Sequence, residues 1–329
     1  MKFLIAGLGS IGRRHLRNLI TLGEKDILLY RTHQSTLPEN ELAGFPVETD
    51  LQAALNQGPD AVIVANPTAL HLSVAIPAAR QGCHLLLEKP VAESMEGMAD
   101  LVAAVKEGGG QVLVGYQFRF HPGLILAAHL LSQGAIGYPL SFRATYAEYL
   151  PGMHPWEDYR QSYSARHDLG GGVILTLCHP LDYVRWLLGD YVGVWAFTGG
   201  LKQFGLMVEE TAVIGIRLAN GVIGSVHLDY NRRPASHCLE ITGTDGTFAW
   251  DGMQGDLQVY QSGKGTWESI PAPIGFERND IFLSEMRHFI AVVRGEAAPV
   301  CSLDDGVRAL QAALAAKSSA ADGMVHEWW

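Results

Sequence analysis

Cysteine is scarce in this sequence, acidic residues outnumber basic ones, and long apolar runs are absent. The 329 residues contain four widely spaced cysteines, which form neither a C-x-x-C pair nor a disulfide framework and therefore fit a reducing, cytoplasmic compartment. The formal net charge of −10 argues against a general nucleic-acid binder, which would carry a basic face. No apolar run approaches the roughly 18 residues that span a membrane. None of the 13 histidines stands at H-x-H or H-x-x-x-H spacing with a carboxylate, so we expect no metal site.

A glycine-rich turn stands between the first strand and the first helix. Met1-Lys2 leads directly into a short apolar strand, so we expect no signal peptide. The turn is Gly7-Leu8-Gly9-Ser10-Ile11-Gly12, and apolar residues at helical spacing follow it. In this context a G-x-G-x-x-G indicates a dinucleotide site, because the glycines permit the tight turn, the approach of the pyrophosphate and close packing of helix on strand. Free N–H groups at the helix start then face the phosphates. The alternative is an ordinary glycine-rich turn.

The end of the second strand bears on the choice of dinucleotide. This strand, residues 26–30, is followed by Arg31 and Thr32, with no carboxylate to bind the ribose 2′-hydroxyl of NAD. An arginine there can accept the 2′-phosphate of NADP and stack on adenine. We therefore expect NADP or NAD as the cofactor, with NADP favoured. The alternative is that Arg31 is an exposed loop residue.

Strands and helices alternate through the rest of the first half. A strand over residues 60–65 ends at Asn66-Pro67, and the helix after it carries His71 in its first turn. Two further strands, over 84–88 and 112–115, flank a helix over 93–107. Such alternation predicts an α/β fold whose N-terminal domain, residues 1–121, is a Rossmann domain with a doubly wound parallel sheet.

The triplet Glu88-Lys89-Pro90 ends one of these strands abruptly. The three leucines before it are typical of a strand buried on both faces. Proline restricts the residue before it, so the strand should stop at Lys89. Ligands of open α/β sheets bind beyond the carboxyl ends of the strands. We therefore expect the Lys89 ammonium at a ligand cleft, the alternative being a solvated strand end.

The second half has strand-like spacing from Pro139 onward. Asn220-Gly221 between two such runs predicts a hairpin. The pattern predicts an α+β domain over residues 122–329 with a large, open, mostly antiparallel sheet. Amphipathic helices over 279–294 and 303–317 close the chain, the second with a capping box of Ser302 and Asp305. Because no second helical layer is evident to cover this sheet, we expect a homodimer or homotetramer.

Three polar residues share one face of a buried helix predicted up to Gly189. Thr176, His179 and Asp182 recur every three residues, and Pro180 should kink the helix. An imidazole titrates near pH ~6.5, which suits proton transfer near neutrality. His179 is thus a candidate acid/base, and the alternative is a hydrogen-bonded core histidine.

The segment 149–166 is rich in aromatic and basic residues. Aromatic faces with hydrogen-bonding tips suit a polyol ring, and arginines suit an acidic group or a phosphate. The alternative is an ordinary packed loop. Together with one tyrosine near the predicted domain junction, the candidate substrate-binding residues are Tyr116, Trp156, Tyr159, Arg160, Tyr163 and Arg166.

Over essentially its whole length the chain resembles the Gfo/Idh/MocA family, the relatives of glucose–fructose oxidoreductase and inositol dehydrogenase. The most specific mark is the Glu-Lys-Pro triplet in combination with the glycine-rich turn before it. The other marks stand in the family's order, namely Asn66-Pro67 with His71, and Gly171-Gly172 followed by His179 and Asp182.

The resemblance implies an N-terminal domain that binds NAD or NADP and a C-terminal sheet that commonly forms the oligomer interface. It implies that Lys89 holds the substrate hydroxyl near the nicotinamide, that His179 is the acid/base, and that Asp182 orients the substrate or the histidine. The residues implied to line the cofactor are Asn66, Pro67, His71 and Glu88. The implied substrate is a sugar, an inositol or an activated amino sugar.

One position departs from the family's pattern. Many family dehydrogenases carry an aspartate one helical turn before the histidine, where this chain has Leu175. Leucine cannot hydrogen-bond, which leaves a non-catalytic dinucleotide-sensing protein as the alternative to an enzyme. The presence of both Lys89 and His179 favours the enzyme.

Overall fold

Two sheets dominate the protein, and each belongs to its own compact unit. A computed structural model describes residues 1–32, 40–199 and 203–328. The first unit comprises residues 1–117, 168–170 and 278–307, and the second comprises the remainder of the described chain.

The sheet of the first unit is parallel throughout and has six strands in the order β3-β2-β1-β4-β5-β6. This order reverses between β1 and β4, as in a doubly wound sheet, and confirms the predicted Rossmann fold. The strands are β1 (Lys2–Ala6), β2 (Asp26–Tyr30), β3 (Val47–Glu48), β4 (Ala61–Val64), β5 (His84–Glu88) and β6 (Val112–Gly115).

Within the described residues of the first unit, four α-helices alternate with these strands. The helix predicted over 93–107 is shorter than expected, because Gly97 has a left-handed φ of 75° and the helix begins only after it. The helices are α1 (Ser10–Thr21), α2 (Leu51–Leu55), α3 (His71–Arg80) and α4 (Met98–Gly108).

The second unit contains a nine-stranded sheet in the order β14-β13-β12-β11-β7-β10-β9-β8-β15. One pair, β10 with β7, is parallel and the others are antiparallel, so the predicted mostly antiparallel sheet is confirmed. The strands are β7 (Pro139–Ala147), β8 (Tyr191–Gly199), β9 (Thr211–Leu218), β10 (Ile223–Asp229), β11 (Ser236–Gly243), β12 (Gly246–Asp251), β13 (Leu257–Gln261), β14 (Thr266–Ile270) and β15 (His326–Glu327). Its helices are α5 (Pro122–Ser132), α6 (Leu150–Met153), α7 (Val173–Thr176) and α8 (His179–Leu188).

The two faces of this sheet differ in burial. On β10, Val226 and Leu228 are completely buried, whereas Ile223 on the opposite face is 58 % exposed. This alternation follows the period of two that strands impose. One face of the sheet therefore builds the core of the second unit, and the other face is open.

The last two helices are α9 (Arg278–Val293) and α10 (Leu303–Asp322). Helix α9 packs in the first unit, where Phe289 meets Phe3 edge-on at 6.5 Å and Asn279 Nδ2 donates to Asn18 Oδ1 at 3.0 Å. No sequence pattern indicated this return to the first unit. Helix α10 has the predicted capping box at Ser302 but runs five residues further than expected.

Candidate active site

The glycine-rich turn has the geometry that a pyrophosphate requires. Gly7 has a φ of 94°, and a Cβ there would lie 2.4 Å from the backbone nitrogen of Asn66. A Cβ on Gly12 would lie 1.9 Å from the carbonyl oxygen of Gly7, so both positions exclude side chains. No atom of the described residues lies within 4 Å of a Cβ on Gly9, which leaves open space at the start of α1. These residues therefore fit a dinucleotide, since two glycines close the turn and the third leaves room for phosphate.

Ser10 and Ile11 form the first turn of α1, where both are partly exposed. That turn contains no acidic residue. Its free N–H groups and the positive end of the helix dipole therefore meet no negative side chain of the same turn.

Asn66 and Pro67 end β4 beside the turn, as predicted. The His71 Nε2 lies 3.0 Å from the Asn66 carbonyl oxygen, and Asn66 Nδ2 donates to the Leu70 carbonyl at 2.9 Å. Burial lowers the pKa of the His71 imidazole, which keeps the ring neutral at neutral pH. The neutral ring then donates its Nε2–H to the carbonyl and fixes the loop that follows β4.

Glu88 lies at the carboxyl end of β5 and is held on two sides. Its Oε1 lies 2.7 Å from Nε2 of His15, which is completely buried on α1, and its Oε2 accepts the Lys89 N–H at 3.2 Å. Burial opposes ionisation of Glu88, but the hydrogen bond and charge of His15, together with Lys89, outweigh it and lower the pKa of the carboxyl. Lys89, the first residue after the strand, is partly exposed.

Arg31 directly follows β2, next to the glycine-rich turn. The Tyr30 carbonyl accepts the Gly7 N–H at 3.2 Å, and the Arg31 N–H donates to the Glu48 carbonyl at 3.1 Å. The residue is 6 % exposed, so the alternative of an exposed loop arginine is wrong.

The single kinked helix predicted up to Gly189 is wrong, because two helices occupy this stretch. Helix α7 ends at Thr176, and α8 begins at His179 with Pro180 in its first turn. A proline has no N–H to donate, so it is accommodated at a helix start rather than in an interior. Thr176, His179 and Asp182 are nevertheless all buried.

Aromatic rings that were not predicted from the sequence surround His179. Phe118 meets the imidazole edge-on, with ring centroids 4.9 Å apart and planes at 74°, and Tyr146 lies at 6.0 Å. The His237 ring stacks on Tyr146 with ring centroids 4.1 Å apart. Burial lowers the pKa of the His121 imidazole to about 4. The available signal was the inward position of Tyr146 in the alternating pattern of β7.

Asp182 forms a buried ion pair that the sequence did not reveal. Arg119 donates from its second terminal nitrogen to Asp182 Oδ1 at 2.7 Å and from Nε to Oδ2 at 3.0 Å. The two residues are 6 % and 2 % exposed. Such a two-point pair fixes the orientation of both groups. The Asp182 carboxylate therefore anchors α8 to the segment before α5.

The candidate substrate residues are spread over different environments. Tyr116 is 1 % exposed and lies in the interior, whereas Trp156 is 63 % exposed. The Arg160 guanidinium lies 4.7 Å above the Tyr159 ring, which meets Phe204 at 5.7 Å. Arg160 and Arg166 are exposed, and Tyr159 and Tyr163 are half-buried. Segment 149–166 is therefore partly packed and partly open.

Two glycines hold the end of this segment against the start of α7. A Cβ on Gly171 would lie 2.3 Å from the Tyr163 carbonyl oxygen, and the Gly171 N–H donates to the Arg166 carbonyl at 2.9 Å. Gly172 has a φ of 110°. Gly171 is thus required for close backbone approach and Gly172 for its positive φ.

Among the described residues, no group of three or more His, Cys, Asp or Glu side chains could hold a metal ion. No helix in the described part of the chain is long and apolar enough to cross a membrane.

Comparison with known proteins identifies both halves of the chain. Residues 1–116 match the model of the oxidoreductase family with an NAD-binding Rossmann fold, and residues 125–249 match that of the GFO/IDH/MocA C-terminal domain. The chain is 28 % identical to scyllo-inositol 2-dehydrogenase (NAD⁺) of Bacillus subtilis (strain 168), over 97 % of this chain and 94 % of that protein. It is 27 % identical to 1,5-anhydro-D-fructose reductase of Ensifer adhaerens, over 82 % and 79 %.

The fold also matches solved structures. A levoglucosan dehydrogenase in complex with NADH and levoglucosan superposes with a TM-score of 0.86, covering 99 % of each chain at 22 % identity. With its two matching domain models, the chain belongs to the Gfo/Idh/MocA family of oxidoreductases and carries that family's NAD-binding Rossmann fold.

Proposed function

We propose that the protein is an NAD(P)-dependent dehydrogenase or reductase that moves a hydride between the nicotinamide and a secondary alcohol or ketone of a sugar, an inositol or an activated amino sugar. The observation that carries the proposal is Lys89, a partly exposed ammonium at the carboxyl end of β5 in the sheet that bears the dinucleotide turn. The relatives named above are a polyol dehydrogenase and a sugar reductase, which supports a carbohydrate-like substrate.

The chemistry divides between a fixed charge and a proton carrier. When bound, the nicotinamide accepts or gives the hydride. His179 takes the hydroxyl proton in the oxidising direction and returns it in the reducing direction. Lys89 stabilises the negative charge that develops on the substrate oxygen, and a preorganised cation is most effective where water is scarce.

The position of Leu175 changes how His179 is held. This leucine is 1 % exposed and offers no hydrogen bond to the imidazole. The ring edges of Phe118 and Tyr146 restrict the imidazole instead, by packing. The Asp182 carboxylate pairs with Arg119 and thereby fixes the position of α8. Asp182 therefore orients His179 and does not exchange protons itself.

The substrate specificity residues belong to segment 149–166. Half-buried tyrosines and an exposed tryptophan offer faces for a sugar ring, and two exposed arginines suit an acidic or phosphorylated group. These residues are Trp156, Tyr159, Arg160, Tyr163 and Arg166.

A substrate panel tests the proposal. The protein is incubated with NAD⁺ or NADP⁺ and a set of inositols, sugars and nucleotide sugars, while absorbance of the reduced nicotinamide is followed. Turnover of a polyol or sugar supports the dehydrogenase. Tight dinucleotide binding without turnover of any member, in either direction, would favour the dinucleotide-sensing alternative.

We further propose that NADP(H) binds more tightly than NAD(H), because Arg31 takes the place of the usual carboxylate. Changing Arg31 to Ala should weaken NADP(H) binding by about 1.5–3 kcal/mol, the range for a hydrogen bond to a charged group. NAD(H) binding should change little. Fluorescence titration with both reduced dinucleotides measures the difference, with Arg80→Ala on the exposed surface of α3 as the control. Tighter binding of NAD(H) by the wild type would contradict the assignment.

We propose that the open sheet face joins copies of the chain into a homodimer or homotetramer. Neighbouring strands expose Phe197, Val213 and Ile223 there, at 62 %, 42 % and 58 %. An apolar patch of this kind marks an interaction surface. Changing Val213 and Ile223 together to Lys should convert most of the protein to the 35.7 kDa monomer in sedimentation at micromolar concentration.

The control for this variant is Val102→Lys, at a position 50 % exposed on α4. That change should leave the assembly intact. A wild-type protein that sediments as a monomer would overturn the proposed interface.

We propose that the enzyme acts in the cytoplasm. None of the four cysteines forms a disulfide, and three of them are buried. Free thiols are maintained in reducing compartments.

A further inference from the structure

A buried histidine connects the helix of the glycine-rich turn to the strand end that carries Lys89. His15 lies on α1, three residues after Gly12, and is completely buried. Its Nε2 lies 2.7 Å from Oε1 of Glu88, the last residue of β5. Both polar groups lose their water on folding, so each depends on the other for a hydrogen bond.

The surroundings of the imidazole show which ring nitrogen is the donor. Among the described residues, the other nitrogen of His15, Nδ1, has no hydrogen-bond partner. An N–H on Nδ1 would therefore be buried without an acceptor, whereas an N–H on Nε2 has the Glu88 carboxylate to accept it. His15 is thus a donor aimed at one oxygen of Glu88.

The other oxygen of Glu88 is held from a different side. Its Oε2 accepts the backbone N–H of Lys89 at 3.2 Å. Gly115 is the register partner of Glu88 on β6, and a Cβ at Gly115 would lie 3.1 Å from Oε2. A glycine at position 115 therefore leaves the carboxylate where both of its bonds can form. Because each bond uses a different oxygen, rotation of the carboxylate would disturb both of them.

We propose that His15 is a positioning residue for Lys89, which it holds in place through the Glu88 carboxylate. The helix whose free N–H groups face the dinucleotide thereby also fixes the backbone from which the Lys89 ammonium extends. The effect on catalysis rests on the proposed function of Lys89, whereas the two hydrogen bonds from His15 to the Lys89 backbone do not.

Loss of the His15 donor would release one oxygen of Glu88. A buried carboxylate without that donor turns toward another partner or toward water, because an unpaired buried charge is costly. The bond from the Lys89 N–H to Oε2 is then lost or lengthened, and the ammonium is displaced from the substrate oxygen. A misplacement of about 1 Å can cost on the order of 10²-fold in rate.

A pair of amide variants tests this role in activity. The side-chain nitrogen of glutamine stands near the position of the imidazole Nε2, whereas that of asparagine stands near Nδ1 and falls short of Glu88. We expect His15→Gln to keep kcat within about threefold of the wild type, because a similar hydrogen bond replaces the lost one. His15→Asn should lose about 10–100-fold in kcat, because Lys89 is no longer held in place.

The two variants carry the same functional group, so a purely structural role predicts parallel losses in melting temperature and in kcat. Both variants are compared with the wild type at one temperature, well below the lowest melting temperature. Dinucleotide affinity should survive in both, since the turn from Gly7 to Gly12 is untouched. Equal kcat in the Gln and Asn variants would overturn the positioning role, as would a His15→Asn variant that loses dinucleotide affinity and keeps its kcat.

A second test observes the Lys89 backbone directly and needs neither substrate nor cofactor. The chain has seven lysines, so labelling with ¹⁵N-lysine gives a simple amide spectrum, in which the Lys89 resonance is identified by its loss in Lys89→Ala. The chemical shift of an amide proton depends on its hydrogen bond. We expect the Lys89 resonance to move in His15→Asn and to stay near its wild-type position in His15→Gln. An unchanged resonance in His15→Asn would show that Glu88 keeps its place without His15, and would overturn the proposal.

The two tests distinguish failure of this proposal from failure of the proposed function. If the wild type turns over no substrate, the function proposed for Lys89 fails, and the Lys89 resonance still decides whether His15 holds the strand end. If the wild type is active and the resonance does not respond to His15→Asn, only the positioning role of His15 fails.

Discussion

Replacing His179 by alanine is expected to lower kcat about 10²–10⁴-fold, the usual contribution of a general acid–base group. The imidazole is 3 % exposed and is bounded by Phe118 and Tyr146 rather than by a carboxylate one turn before it. In the oxidising direction the base must be deprotonated, so activity should fall as the pH is lowered. The variant should lack this acid limb of the pH–rate profile.

His129 provides the control for this experiment, because its side chain is exposed on the surface of α5. His129→Ala should keep the wild-type kcat and pH profile. Binding of the reduced dinucleotide should survive in both variants, since the turn from Gly7 to Gly12 is untouched. A His179→Ala variant with near-full kcat and an unchanged pH–rate profile would contradict the assignment of His179 as the acid/base.

Replacing Lys89 by alanine is expected to lower kcat about 10²–10³-fold, as loss of a preorganised charge does. The effect should appear in kcat more than in KM, because the negative charge on the substrate oxygen develops in the transition state. Lys106→Ala, on the exposed surface of α4, should leave kcat unchanged. Steady-state kinetics in both reaction directions measure the effect.

The double variant tests whether Lys89 and His179 serve one reaction. Groups that act on the same hydroxyl are strongly non-additive, so the double change should cost little more than the larger single change. Full additivity of the two losses would show that the residues act independently and would contradict the proposed mechanism. A Lys89→Ala variant that loses dinucleotide affinity but keeps its kcat would show that Lys89 binds the cofactor and is not catalytic.

Local patterns explain why part of the site could be predicted. The glycine at position 7 avoids the backbone of Asn66 at the end of β4, whereas the requirement for glycine at position 12 is set by the Gly7 carbonyl oxygen, within a motif of six residues. The end of β5 is likewise decided by the residues next to it, since a proline forbids continuation. Such constraints act over a few residues and are therefore visible in a single sequence.

The boundaries of the helices could be predicted only in part from the sequence. Spacing placed His179 on a helix but did not reveal that α7 ends at Thr176 and α8 begins at His179. A proline is compatible with either a kink or a helix start, and the surrounding tertiary contacts decide between them. The start of the helix predicted over 93–107 was also placed too early, because Gly97 has a left-handed φ and α4 begins only after it.

Pairings between polar residues that are far apart in the sequence could not be predicted from it. Arg119 and Asp182 are 63 residues apart, and His15 and Glu88 are 73 residues apart. In each case either residue alone is an ordinary charged or polar side chain. Helix α9 returns to the first unit after the whole second sheet, and there Phe289 meets Phe3.

The sequence by itself therefore determined the Rossmann and open-sheet architecture, the dinucleotide turn and the strand end that carries Lys89. These follow from hydrophobic period, turn chemistry and backbone sterics, which are properties of neighbouring residues. Only the tertiary structure decided which polar groups are buried against one another, and with them the charge on Glu88 and the anchoring of α8. The physical reason is that desolvation and Coulomb interaction depend on distances through space, which a linear order of residues does not contain.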